Sequence, residues 1–525
     1  MKTKYIYTLL VGCIALMTVS CEDKLDIEQN GNLGSSEDYY QTDDEALSAA
    51  AQMYGSWRSS FYSWWYLKNL LADDVWCGGG GRGDNSEMEE LNEYTYGTDN
   101  SFLESVYSGL YTLIYYANLI IENVDTDSDV KTRVVAEAKF FRGWAHFELV
   151  TLWGTAPVVN HLLSADEYRV SNSTAEELWT QVESDFSDAI NSDALPSKTS
   201  VDDEETGIRV TLEVAKAYLA KAYLFQEKYD SAADLFDEVI DSGLYALYEG
   251  DYDQLMHVST NNCCEGMLEC QMRNDATNIW LFYSMWVVMQ GWRYDKLSYS
   301  SEVLTYIATG TYGFMNPKED LYDAFVEMEG EDGYRLNQTM RTYDQMVDIG
   351  VSLLNGSSLI GHEGYFMWKN RALLSDCVYN FSGFQVLQYV NYRVMRYAEV
   401  LLMAAEAHVQ SGNTTKATQY VNEVRERAQL ADLASVSLDD IKKEKRLELC
   451  LEAVRYQDLI RWGDAETVLA SQGAEIPSLV NNDGDVTVEI TNTNTVYGFE
   501  SKHKLLPIPL TEIEVNPNMT QNEGW

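Results

Sequence analysis

The chain has 525 residues, and 37 lysines and arginines against 83 aspartates and glutamates leave it a formal charge of −46. An apolar fraction of 46% supplies a large core and excludes a disordered chain. The charge argues against nucleic acid as a partner and against a polybasic hold on anionic lipid, because both surfaces are gripped by basic patches. Seven prolines point to a helix-rich chain. The 13 Trp, 36 Tyr and 15 Phe suit a neutral ligand read by flat ring faces, and they suit a large core equally well.

Residues 1–20 read as an export signal, with Lys2 and Lys4 ahead of an apolar run from Tyr5 to Val19. The run ends at Thr18-Val19-Ser20-Cys21, which resembles a bacterial lipobox and makes Cys21 the lipid attachment point. No later stretch reaches the eighteen or so apolar residues that a membrane span needs. The expected membrane link is therefore the lipid alone, followed by one domain over 21–525 with parts at 21–244 and 245–525.

Helix signals come next in chain order. Thr42-Asp43-Asp44-Glu45 is a capping box before Ala46, Ala49, Ala50, Met53, Tyr54 and Trp57. Leu103, Val106, Leu110, Ile114 and Ala117 form a second apolar stripe. Thr174-Ala175-Glu176-Glu177 opens a third helix and Ser437-Leu438-Asp439-Asp440 a fourth. Ala220, Tyr223, Ala232 and Phe236, and again Ala405 and Ala417, hold the spacing of tetratricopeptide (TPR) helix pairs. Between the pairs, 244–390 reads as an irregular elaboration, and 480–500 as a turn and a short strand.

Several chemical signals fail on their surroundings. Gly78-x-Gly80-x-x-Gly83 lacks the strand and helix of a dinucleotide site. Arg82-Gly83-Asp84 is too short to carry meaning as an adhesion tripeptide. Asp125, Asp127 and Asp129 start like a calcium loop, but Val130 and Ala136 stand in its glycine and glutamate positions. Cys263, Cys264 and Cys270 lack zinc spacing, so no metal and no cofactor is expected. Arg446, Glu448, Arg455 and Asp458 read as buried pairs that lock helices.

Four segments then carry a resemblance. They are 137–159 (EAKFFRGWAHFELVTLWGTAPVV), 209–247 (with AKAYLAKAYLFQEKYDSAADLFDEVI), 393–463 (from RVMRYAEVLLMAAEA to EKRLELCLEAVRYQDLIRWG) and 503–525 (HKLLPIPLTEIEVNPNMTQNEGW). With the lipobox they resemble the RagB/SusD family of Bacteroidetes outer-membrane lipoproteins. Ala453 stands where that family usually has Gly, and Trp525 where it more often has Tyr. The resemblance implies a mostly α-helical SusD-like fold with TPR-type helix pairs. It implies a lipid-anchored chain on the outer membrane, facing the exterior, and Glu22-Asp23 resembles the family's surface-export signal. It also implies capture of oligosaccharides, in some members peptides, for a SusC-like TonB-dependent transporter, without catalysis.

A sugar offers C–H faces to rings and hydroxyls to amides and carboxylates, so its site needs flat aromatics beside polar groups on held loops. Two loops fit. In 72–86, Asp73 and Asp74 accept hydroxyl donors, Trp76 stacks and Arg82 donates in a fork, beside the flexible Gly78–Gly81 run. In 290–295, Trp292, Arg293 and Tyr294 follow a glycine. Trp280, Phe282 and Trp286, crowded among aliphatics, read as core, while Trp144, Trp153 and Trp462, within the segments of the resemblance, read as structural.

Overall fold

The computed structural model describes residues 39–278, 281–378 and 387–525. The export signal, Cys21 and Trp280 lie outside the described residues. Local chemistry sets the helix starts. Helix α1 (Asp43–Leu70) begins where the Thr42 hydroxyl accepts from the Glu45 amide and Glu45 accepts from the Thr42 amide. That exchange satisfies two donors which a helix start leaves open. Strand β1 (Val75–Cys77) follows, then α2 (Ser86–Glu93), α3 (Ser101–Asn123), α4 (Asp129–Trp153) and α5 (Ala175–Asn191). Asn85, Asn100, Ser128 and Thr174 cap these helices. Ser128 caps α4 at the end of the 125–129 stretch, and Asp127 pairs with Lys131 rather than standing free.

Helices α1, α3, α4 and α5 pack in succession. A Cβ on Gly109 of α3 would lie 2.8 Å from Ser60 Cβ of α1, so α1 and α3 approach each other closely there. Next, α6 (Leu212–Phe225) pairs with α7 (Tyr229–Asp241) across buried Ala220, Ala232 and Phe236. Later, α12 (Tyr397–Gln410) pairs with α13 (Thr414–Arg427) across Ala405 and Ala417, and α12 also packs on α7. Both helix pairs thus fall where their alanine spacing placed them.

The segment between them is built of short elements. It runs β2 (Gly266–Cys270), α8 (Met285–Gln290), β3 (Leu297–Tyr299), β4 (Met315–Pro317), α9 (Glu319–Glu329), α10 (Tyr334–Thr339), β5 (Met340–Thr342), α11 (Tyr343–Asp348), β6 (Val351–Leu353), β7 (Ser358–Ile360), β8 (Tyr365–Met367) and β9 (Tyr392–Arg396). The pairs β1–β4, β2–β9, β3–β6 and β5–β8 are each antiparallel and two-stranded. After α14 (Leu438–Glu448) and α15 (Arg455–Trp462), strands β10 (Glu475–Asn482) and β11 (Asp485–Thr493) form a hairpin, and β10 also pairs with β7. The single short strand expected at 480–500 is therefore one arm of that hairpin. Its turn is Asp483-Gly484, both at positive φ (55° and 95°), as a two-residue type I′ turn requires.

One large core spans both helical regions, with Trp57, Trp65, Trp144, Trp153 and Trp286 fully enclosed. A smaller core under the loops holds Trp292, Val303, Met346, Phe366, Trp368 and Leu479. Phe282 departs from expectation. It is only half-buried, pressed against Arg58 and Arg273 at 4.3 and 4.5 Å rather than against the aliphatics beside it in sequence. The arginine clusters behave as expected of locks. Arg335, Arg396 and Arg427 converge on the buried Glu448. Burial raises that carboxyl, but Arg427, Arg396 and Arg335 outweigh it and bring it down to about 2.

Candidate ligand-binding surface

Four of the seven sequence-predicted binding residues are buried. Asp73 and Asp74, in the turn after α1, are 4% and 2% exposed. Arg455 forks onto Asp73 at 2.8 and 2.9 Å, and Arg446 reaches Asp73 at 3.2 Å and Asp74 at 2.9 Å. Burial raises the Asp73 carboxyl, yet Arg446 and Arg455 hold it far below the usual carboxylate range. These acids tie the end of α1 to α14 and α15. They do not offer oxygens to a sugar.

The two indoles are also enclosed. Trp76, 6% exposed, lies opposite Asn316 in the β1–β4 pair, with the Lys318 ammonium 4.5 Å from its ring. Trp292, also 6% exposed, donates Nε1–H to the Met367 carbonyl at 2.7 Å and stacks on Trp368 at 6.0 Å. The glycine run divides. A Cβ on Gly78 would fall 2.2 Å from the Gly313 carbonyl oxygen, so that glycine serves chain packing. Gly81 and Gly83 face open space.

Arg82, Arg293 and Tyr294 reach solvent, and the fold brings their two loops together. The Gly79 amide donates to the Gly313 carbonyl at 2.8 Å, and the Gly313 amide to Gly291 at 2.7 Å. Arg293 holds Asp295 at 2.5 Å and lies 3.6 Å from Asp84 across the gap. Asp84 in turn accepts from the Gly80 amide at 2.7 Å. Arg82 forks onto Glu93 and lies 3.1 Å from Glu89. Tyr294 is 40% exposed.

Further half-buried rings extend this surface. The Arg293 guanidinium lies 5.9 Å from the Tyr312 ring. Burial and then Tyr312 raise the Tyr283 hydroxyl, and burial and then Tyr283 push the Tyr62 hydroxyl up to about 12. Beyond Tyr62 and Phe282 a groove of about 860 Å³ opens between α1 and α3. Tyr62, Phe282, Tyr283 and Tyr312 are not among the residues that the sequence singles out for binding. Tyr312 carries a readable signal, since Gly310 and Gly313 flank it as Gly291 precedes Trp292. A more enclosed cavity of about 380 Å³ between α9 and α14 is lined by Met328, Leu447, Arg425 and Arg446, whose guanidiniums are ion-paired, and no ring lines it.

Two family models match the chain, one described as "SusD family" over residues 283–525 and one as "Starch-binding associating with outer membrane" over 24–224. The chain belongs to the SusD/RagB family. "SusD-like protein P2" of Formosa agariphila is 25% identical over 567 aligned positions that cover 99% of this chain and 100% of the relative. "Starch-binding protein SusD" of Bacteroides thetaiotaomicron is 23% identical and fully covered in both chains. A solved "Laminarin binding SusD-like protein" superposes with a TM-score of 0.77 at 27% identity, covering 92% of this chain and 99% of its own. No helix among the described residues is long and apolar enough to cross a membrane.

Proposed function

We propose that the protein binds oligosaccharides at the outer face of the outer membrane and passes them to a SusC-like TonB-dependent transporter, without breaking them down. In this reading residues 1–20 are removed and Cys21 carries the lipid anchor. The observation that carries it is the meeting of the two loops. Tyr294 and Tyr312 offer ring faces, and Arg82 and Arg293 offer donors, on a frame held by backbone hydrogen bonds to Gly291 and Gly313. The acids there, Asp84 and Asp295, both hold Arg293, which suits positioning rather than proton transfer. The laminarin-binding relative supports a glucan-type ligand.

A site of one or two stacked rings, at about 0.5–1.5 kcal/mol each beyond area burial, gives weak, reversible binding in the micromolar to millimolar range. Such binding suits a protein that must release its cargo. The test is calorimetric titration of a soluble form beginning at Glu22, with neutral gluco-oligosaccharides and mixed oligopeptides at two salt concentrations. Salt-insensitive glycan binding weakened in Tyr294→Ala and Tyr312→Ala is the expected result. Salt-sensitive peptide binding with no glycan binding overturns it.

A further inference from the structure

We propose that the groove between α1 and α3 is a second carbohydrate subsite, which takes a sugar unit bearing a carboxylate or sulfate at Arg58. This rests on the glycan-binding reading above and adds to it a ligand class and a second place of contact. The groove is open because its floor is made of small residues, among them Gly55, Ser59 and Ser60 on α1 and Ser105, Ser108 and Gly109 on α3. The hydroxyls there already donate to their own helices. Ser59 gives its proton to the Gly55 carbonyl at 2.9 Å, Ser60 to Trp57 at 2.8 Å and Thr112 to Ser108 at 2.8 Å. What they present outward is therefore acceptor lone pairs, the complement of sugar hydroxyl donors. Ser56 Oγ, on the groove wall, is buried with no hydrogen-bond partner among the described residues.

The cation lining this groove is Arg58. Its guanidinium lies 4.3 Å from the centre of the Phe282 ring, against which Arg273 also lies, and Arg273 is neutralised by Asp275 at 2.5 Å. Among the described residues Arg58 has no hydrogen-bond acceptor and no carboxylate within 4 Å. That is unusual economy in a chain with 83 acids for 37 bases, where Arg142, Arg335, Arg396, Arg427, Arg455 and Arg461 all hold carboxylates. The Arg58 N–H groups thus face the groove, where water or a ligand can accept from them. Its planar fork matches the paired oxygens of a carboxylate or a sulfate. Burial and the neighbouring Arg273 both pull its pKa down, as expected of a cation that no acid neutralises. Arg58 is one helical turn, about 6 Å along α1, from Tyr62. The groove thus lies one turn of α1 from the Tyr62 ring.

The test uses the soluble protein beginning at Glu22 with three tetrasaccharides: a uronate oligomer, a sulfated galactan oligomer and a neutral glucan oligomer. Arg58→Gln removes the fork, and Ser108→Trp fills the groove from an exposed position. Melting temperatures verify that both variants fold. Each variant is expected to weaken an acidic tetrasaccharide about tenfold or more, the scale of a lost charge-assisted pair. The neutral one should be unaffected by Arg58→Gln and weakened by Tyr294→Ala. Whichever acidic arm responds names the group. Absence of acidic binding, acidic binding indifferent to both variants, or equal loss of neutral binding in Arg58→Gln overturns the proposal. If neutral sugar binds and acidic sugar does not, this inference alone fails; if neither binds, the glycan reading fails with it.

Discussion

Trp292 separates a packing role from a binding role. Its indole is enclosed in the smaller core, donates to the Met367 carbonyl at 2.7 Å, and meets Trp368 at 6.0 Å and Phe366 edge-on at 6.3 Å. Truncating a buried Trp to alanine costs about 3–5 kcal/mol in lost transfer energy and cavity. Trp292→Phe keeps most of the bulk. It loses the N–H donor, at about 1–3 kcal/mol for a carbonyl left without its partner, and part of a stack worth about 0.5–1.5 kcal/mol. The expected order of unfolding midpoints in urea is therefore wild type, then Phe, then Ala, with the Ala variant far below the other two. Affinity for the bound oligosaccharide, measured well below the midpoint, should change less than threefold in the Phe variant. A Trp292→Phe protein with an unchanged midpoint but tenfold weaker binding would refute this reasoning and return the indole to the binding face.

Tyr294→Ala makes the opposite prediction: affinity falls about five- to tenfold, a stacking increment, while the melting temperature holds. Arg455→Met leaves Asp73 with one of its two arginines, and breaking that buried pair should destabilise by about 3–5 kcal/mol, read as a lowered urea midpoint, with Asp73→Asn in the same background recovering part of it. Stability should fall in two steps on acidification. Burial lowers His146 to about 4 and His362 to about 3, so both stay neutral in the folded chain, and their contribution is lost as pH falls from about 6.5 toward those values. Glu448, lowered to about 2, adds stability that is complete above its ordinary carboxylate range and is lost as pH falls from about 4.5 toward 2. Melting curves between pH 7 and 3 check both steps, and His362→Gln should flatten the first.

What is legible in the sequence is local. Thr42 with Glu45, Thr174 with Glu177 and Ser437 with Asp440 are pairs three residues apart, and each forms the cap its spacing implies. Ala220 with Ala232 and Ala405 with Ala417 likewise act within one helix pair. The candidate binding face is less legible, because burial there is decided far along the chain. Trp76 is covered by Lys318 and Asn316, Trp292 by Met367 and Trp368, and Asp73 by Arg446 and Arg455. A tryptophan beside glycines reads as exposed until the strand that pairs with it is known. Phe282 shows the reverse case, because its neighbours in space are two arginines and its neighbours in sequence are aliphatic.

The buried four nonetheless hold in place the exposed three that the proposed reading assigns to the ligand. Asp73 and Asp74 pin the end of α1 to α14 and α15. Trp76 pins β1 to β4, and the β4 loop then receives the Gly79 amide and hands its own Gly313 amide to Gly291, next to Trp292. Arg82, Arg293 and Tyr294 therefore project from backbone tied at both ends, not from free loops. Side chains fixed before a ligand arrives lose little freedom on binding, so a few weak contacts suffice for recognition without slow release. On the proposed reading, the residue types that signal a sugar site stand in two loops that meet. Some of them build the platform, and the others stand on it.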